Sequence, residues 1–151
     1  MSIKAKTAYC GIYCPDCMLF KNKFSPLATQ LKERLEDTEF EKYAGTPSPF
    51  GQDYTCYNQF STILEALAGS QCNQTCRTGG GCSGKPCEIM ECCLSKNYEG
   101  CWDCDDVENC NKFDFLTPRC GDMPKSNILA IKKHGMQNWE QYKKAFYIWQ
   151  G

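Results

Sequence analysis

The sequence contains one histidine, one valine and no long apolar run, and each shortage excludes a class of protein. With His134 as the only histidine, hydrolase and zinc-protease sites built on histidine are excluded. Val107 and seven isoleucines are too few β-branched aliphatic residues for a substantial sheet. No run of about 18 apolar residues is available to span a bilayer, and the first residues do not resemble a secretion signal. We therefore expect a cytoplasmic protein that does not enter membranes.

The chain also lacks an excess of basic charge. Its 17 lysines and arginines stand against 18 aspartates and glutamates, which leaves a net charge of −1. Affinity for a phosphate backbone depends on clustered lysine and arginine, and the sequence has no such stripe. We therefore expect no nucleic-acid partner.

Cysteine is the residue present in excess, at 14 of 151 residues. Without the cysteines only about a third of the chain is apolar, which makes an ordinary core thin. Thiols stay reduced in the cytosol unless a metal holds them, so this composition favours metal ligation over disulfides. Ten of the cysteines fall in segment 69–120, which has few aliphatic residues. We expect metal binding to replace the missing core there.

Helical periodicity outside the cysteine motifs predicts a mainly α fold with little β structure, in a single domain over residues 1–151. Pro26 after Ser25 is typical of a helix start, and Ser126 is a candidate N-cap. An aromatic residue recurs at helical spacing between Trp139 and Trp149. The predicted helices cover about residues 26–43, 57–68, 87–97, 127–134 and 138–149.

Two Cys-x-x-Cys pairs, Cys14 with Cys17 and Cys101 with Cys104, have the spacing of metal-binding turns. In such turns backbone N–H groups also support the thiolates. Cys10 lies close enough in sequence for three thiolates of the N-terminal cluster to reach one metal, and we expect this cluster to pack on helices. Spacing does not reveal which cysteines share an ion. Cys56 is isolated, and we expect it to be a small buried residue.

The order of CGIYCPDC, a leucine-rich helix, CNQTCR, CEIMECC and CWDCDDVENC resembles a family of prokaryotic proteins with a cysteine-rich domain of unknown function and predicted zinc binding. The resemblance spans most of residues 8–112. It implies metal binding and no reaction. The ligands it implies are Cys10, Cys14, Cys17, Cys72, Cys76, Cys87, Cys92, Cys101, Cys104 and Cys110. The cysteines outside its pattern are Cys56, Cys82, Cys93 and Cys120.

Two functional hypotheses follow. The first is a structural-zinc module with about two ions in four-thiolate sites, which binds a protein or a small molecule. The second is an iron–sulfur or thiol redox and sensor protein, since four cysteines can also hold an iron–sulfur cluster. The two Cys-x-x-Cys turns favour zinc, and no residue is given a catalytic role. Candidate aromatic contacts for a partner are Tyr13, Phe50, Tyr54, Trp102 and Phe115.

Overall fold

The fold consists mainly of short helices and 3-10 turns, as the scarcity of β-branched residues predicts. A computed structural model describes residues 1–51, 53–80 and 87–150. Within these ranges there is no strand, only one isolated bridge between Thr7 and Tyr13. The mainly α prediction is confirmed. The seven α-helices in these ranges are α1 (Ile3–Lys6), α2 (Ser25–Asp37), α3 (Phe40–Ala44), α4 (Tyr57–Ala68), α5 (Glu88–Ser95), α6 (Thr117–Cys120) and α7 (Met123–His134).

The chain forms two compact units. The first comprises Met1–Phe20 together with Cys72–Gly151, and the second is Lys21–Gln71. Of the thirteen cysteines that the structure describes, all except Cys56 belong to the first unit. No helix in the described part of either unit has the length and apolar character needed to cross a bilayer. The predicted single domain over 1–151 stays a prediction.

In the second unit, α2 packs against α4, and a salt bridge of 3.2 Å joins Lys32 to Glu65. The predicted helix over 57–68 is confirmed by α4. The helix predicted over 26–43 is wrong in its continuity, because it is interrupted between α2 and α3. Thr38 turns its hydroxyl back onto the carbonyl of Arg34, and Glu39 adopts a left-handed conformation with φ 49°. This break allows Phe40 to pack on neighbouring aromatic rings.

In the first unit, α7 packs against the turn at Gly11. The φ of Gly11 is +79°, and a Cβ there would lie 2.8 Å from the carbonyl oxygen of Pro124 and 2.8 Å from Cγ1 of Ile128. Asn127 of α7 is buried and donates a hydrogen bond of 3.0 Å from Nδ2 to the Gly11 carbonyl. Only glycine therefore suits this turn, both for its backbone conformation and for the close approach of the helix.

The structure shifts the bounds of two predicted helices in the first unit. The helix predicted over 87–97 is present and shorter, as α5. The helix predicted over 127–134 begins earlier, since α7 starts at Met123 and has Pro124 in its first turn. Ser126 is therefore not its N-cap. Its hydroxyl instead donates to Oδ2 of Asp122, within the first turn of the helix.

The predicted continuous helix over 138–149 is wrong. The segment forms two 3-10 turns, Trp139–Tyr142 and Ile148–Gln150, with extended backbone at Lys143. Tertiary contacts explain the difference. The N–H of Lys144 donates to Oδ1 of Asn127 at 3.0 Å instead of to a helical carbonyl. The adjacent Phe146 and Tyr147 are both buried, which a single apolar helix stripe does not provide.

Arg77 connects three separate stretches of the first unit. Its guanidinium lies 4.3 Å from the ring centroid of Tyr9 and 5.0 Å from that of Trp102. Nε donates to the carbonyl of Thr7 at 2.5 Å, and Nη2 donates to the carbonyl of Glu99 at 2.7 Å. The planar, forked group thus satisfies two backbone carbonyls and packs on two rings at once.

We expect Asn127→Ala to lower the free energy of unfolding by about 1–3 kcal/mol, because the Gly11 carbonyl and the Lys144 N–H lose their buried partner. Urea unfolding followed by circular dichroism measures this loss. The matched control is Asn138→Ala, an exposed asparagine with a weak bond of 3.4 Å to the His134 carbonyl, which should change stability by less than about 0.5 kcal/mol. Equal losses in both variants would contradict the anchoring role of Asn127.

We expect Arg77→Lys to lower the free energy of unfolding by about 1–3 kcal/mol even though it keeps the charge. An ammonium group cannot bond both carbonyls and stack on both rings. The comparison is made by thermal and urea unfolding at equal metal content. Arg34→Lys, on the exposed side of α2, is the control and should leave stability nearly unchanged. An Arg77→Lys protein as stable as the parent would show that the forked geometry is dispensable.

Candidate functional site

Most cysteines of the first unit lie in or against its hydrophobic core. They come from stretches that are far apart in sequence. Those buried in the core are Cys10, Cys14, Cys93, Cys101 and Cys120, and those packed against it are Cys17, Cys72, Cys76, Cys87 and Cys110. Eight of the ten predicted ligands are therefore in this cluster. No disulfide joins the thirteen cysteines that the structure describes.

The two predicted Cys-x-x-Cys turns are both present and have the same backbone pattern. The first is a 3-10 turn over Cys14–Asp16, in which the N–H of Cys17 donates to the carbonyl of Cys14 at 3.0 Å. The second covers Cys101–Asp103, and the N–H of Cys104 donates to the carbonyl of Cys101 at 3.1 Å. Each turn brings its two cysteines onto one short loop, as their spacing predicts.

Five cysteines line one small cavity in the first unit, together with apolar side chains such as Ile89 and Phe113. Its volume of about 30 Å³ is enough for one or two water molecules. The cysteines in its wall are Cys92, Cys93, Cys101, Cys104 and Cys110. The cavity thus includes the two predicted ligands that do not pack against the core, Cys92 and Cys104.

Cys93 and Cys101 are in direct contact, with 3.6 Å between their Sγ atoms. The hydrogen bond between them lowers the pKa of Cys93 and raises the pKa of Cys101. Burial raises the pKa of Cys101 further, and so do the negative charges of Cys10 and Cys110. The Cys101 thiol is therefore held neutral by its neighbours unless a cation enters.

A second group of cysteines is linked to Cys17 through successive neighbouring charges. Burial is the main cause that raises the pKa of Cys72 and the pKa of Cys76. The charges of Cys17 and Cys76 add to the rise at Cys72, and the charge of Cys87 adds to the rise at Cys76. These four cysteines are thus electrostatic neighbours, although Cys17 and Cys72 are far apart in sequence.

Tyr147 extends this second group. Its hydroxyl lies 3.7 Å from Sγ of Cys17 and accepts a hydrogen bond of 3.1 Å from the N–H of Met18. Burial, followed by the contact with Cys17, raises the pKa of Tyr147 to about 12. The neutral hydroxyl is therefore a polar neighbour beside a thiol that is predicted to bind metal.

The thiols lie near one another, but the described residues do not form a metal-binding site. Among residues 1–51, 53–80 and 87–150, no group of three or more histidine, cysteine, aspartate or glutamate side chains is placed to hold a metal ion. Cys82 lies outside the described residues. The ligand set, the zinc ions and the iron–sulfur alternative all stay predictions.

Two expectations about single residues are wrong. Cys56, expected to be buried, is exposed just before α4. Tyr13, a candidate contact for a partner, is buried and packs edge-on against Trp139, with 5.9 Å between ring centroids. Phe50 and Phe115 are exposed, as a contact role requires.

Sequence reasoning left out Cys93, which contacts Cys101, and Tyr147, which contacts Cys17. Helical periodicity contained the signal for Cys93, since it lies four residues after Ile89 on α5 and both side chains are buried. No comparable signal existed for Tyr147, because the segment that contains it was predicted as a regular helix.

Comparison with known proteins gives one positive result. No curated protein and no solved structure matches the chain. A family model matches residues 6–115, well over half of the chain, and its description is a protein of unknown function, DUF3795. The matched range contains all ten cysteines predicted as ligands. The chain belongs to this family of proteins of unknown function.

Proposed function

We propose that the first unit is a zinc-binding module whose thiolate ligands stabilise a core that apolar side chains alone cannot build. The observation that supports this most strongly is the convergence of cysteines from distant stretches, with Cys93 and Cys101 in contact. The role of the module is to present a surface to a protein or small-molecule partner. We assign it no reaction.

The separation of Cys93 and Cys101 supports metal ligation. Zinc–sulfur bonds of about 2.3 Å in a tetrahedron place neighbouring sulfur atoms about 3.8 Å apart. The observed 3.6 Å is close to that distance and far longer than a disulfide of about 2.05 Å. Small movements of side chains can therefore bring two ligands of one ion into position.

The electrostatic neighbours indicate which cysteines would share an ion. Cys10 and Cys110 are the thiols whose charges act on Cys101, so the first site draws on these three and Cys93. The second site draws on the series of neighbouring thiols Cys17, Cys72, Cys76 and Cys87. Cys14 is buried in the same core and begins the short turn that ends at Cys17. This division corresponds to two zinc ions for each chain.

Charge repulsion also supports the proposal. Burial and neighbouring thiolates raise the pKa of Cys72 and of Cys76. The hydrogen bond with Cys93, burial and neighbouring thiolates raise the pKa of Cys101, so all three groups resist ionisation on their own. A dication reverses this preference, because the attraction of each thiolate to the metal exceeds the repulsion between thiolates. Structural zinc contributes roughly 10–16 kcal/mol to the folding of small peptides, enough to decide whether such a unit folds.

A thiol redox role is the second candidate, and the contact between Cys93 and Cys101 is the observation that favours it. A cellular disulfide could oxidise the pair by thiol–disulfide exchange: the Sγ–Sγ bond forms as the S–S bond of the oxidant breaks, and the two electrons and two thiol protons of the pair pass to the oxidant, which leaves as two thiols. This pair is a candidate for that exchange only in a chain that carries no metal on Cys101. An iron–sulfur cluster on the same cysteines is the related alternative.

Elemental analysis and an absorption spectrum of protein purified without oxygen and without added metal test these alternatives. About two zinc ions per chain and no colour would support the proposed module. Iron with acid-labile sulfide and a brown colour would contradict it and support an iron–sulfur protein. A chain without metal that gains one disulfide when treated with oxidised glutathione would contradict it in favour of thiol redox exchange.

We expect Cys101→Ser to remove about one zinc ion per chain and to lower the melting temperature of the first unit, because one four-thiolate site loses a ligand. Cys56→Ser is the matched control, since Cys56 is exposed and belongs to the other unit. It should keep both ions. Zinc content and the thiolate-to-cobalt absorption of the Co²⁺-loaded proteins measure the effect. Unchanged metal content in Cys101→Ser would remove Cys101 from the ligands.

A further inference from the structure

The second unit contains a groove that the cysteine chemistry does not use. It lies among α2, α3 and the residues that lead into α4, and its volume is about 430 Å³. Small-molecule sites typically have volumes of about 300–1,000 Å³. The wall is mainly apolar, and its aliphatic and aromatic members are Leu31, Leu35, Phe40, Tyr54, Tyr57 and Phe60.

The aromatic side chains in this wall support one another. The ring of Phe40 contacts Tyr54 edge-on, with centroids 5.4 Å apart, and contacts Tyr57 at 5.6 Å. Phe60 packs beside Tyr57 at 6.2 Å and is 42% exposed. Mutual packing limits the motion of the rings, and the face of each aromatic ring carries partial negative charge.

One carboxylate also lines the groove, that of Asp53. Its Oδ1 accepts a hydrogen bond of 2.8 Å from the N–H of Thr55, which lowers the pKa of Asp53 below its usual value. Of the lysines and arginines in the described chain, none forms an ion pair with Asp53. Lys32 of α2 pairs with Glu36 and Glu65. The carboxylate is therefore negative at neutral pH and available to an external cation.

We propose that this groove binds a small organic cation that carries a methylated ammonium group, with the aromatic rings against the methyl groups and Asp53 beside the positive charge. Aromatic faces combined with a carboxylate suit this chemistry, because a methylated ammonium is weakly hydrated and apolar at its surface. An inorganic cation would require more oxygen ligands than one carboxylate. A neutral apolar molecule would gain nothing from the charge of Asp53.

Choline and its neutral isostere 3,3-dimethylbutan-1-ol provide the direct test. The full chain is titrated with each compound, and the aromatic ring resonances are followed by NMR. We expect choline to shift the rings of the groove with a dissociation constant in the millimolar range, and the isostere to bind about five- to tenfold more weakly. The two molecules have nearly the same shape, so the difference measures the positive charge.

Asp53→Asn should reduce the affinity for choline by about five- to tenfold and leave that for the isostere unchanged. The asparagine keeps an oxygen to accept the Thr55 N–H, so the local turn is preserved. Asp37→Asn, at the end of α2 and outside the groove lining, is the control and should bind choline as the parent does.

Two results would overturn the proposal. Equal affinity of the parent protein for choline and the isostere would show that the groove selects apolar surface rather than charge. Absence of ring shifts with choline would show that the groove does not bind such cations. Both readouts use the parent protein and hold even if Asp53→Asn fails to fold. Metal content does not enter either readout, so failure here leaves the zinc proposal untouched.

Discussion

The fold of the first unit depends on burying thiols where most proteins bury aliphatic side chains. Five cysteines are buried in its core among residues such as Ile89, Phe113 and Ile128. A thiol fills space as a small hydrophobic group does, although each neighbour that ionises makes the others harder to ionise. The protonation and ligation of these groups therefore affect the packing of the whole unit.

Residues 1–51, 53–80 and 87–150 contain short helices and no sheet, so many of their backbone groups must be satisfied in other ways. Asn127 and Arg77 do this by bonding backbone groups of segments that are far apart in sequence. Both side chains lie close to cysteines, because Asn127 bonds the carbonyl of Gly11 next to Cys10 and Arg77 follows Cys76 and packs on Trp102. The irregular backbone around the thiols is thus held by a few multivalent polar side chains rather than by regular secondary structure.

The sequence allowed prediction where local signals agree with tertiary packing. The bounds of α4 follow from its apolar period and from Gly69, and the two Cys-x-x-Cys turns follow from their spacing. Prediction failed where a distant group decides the conformation. The N–H of Lys144 donates to Asn127 rather than to a helical carbonyl. The aromatic spacing near the C-terminal end therefore predicts a helix that the structure does not contain. The convergence of Cys17 with Cys72 likewise depends on the path of the chain between them.

The path of the chain makes the second unit an insertion in the sequence of the first unit. The first unit stops at Phe20 and resumes at Cys72, and a cysteine lies close to each junction, with Cys17 and Cys72 as electrostatic neighbours. Closing a loop of roughly fifty residues costs on the order of 3–4 kcal/mol of chain entropy. During synthesis the N-terminal cysteines must wait for the second unit to emerge before they meet their neighbours. The contacts that complete the cysteine-rich core are therefore non-local, and forming them carries the entropy cost of closing the whole insertion.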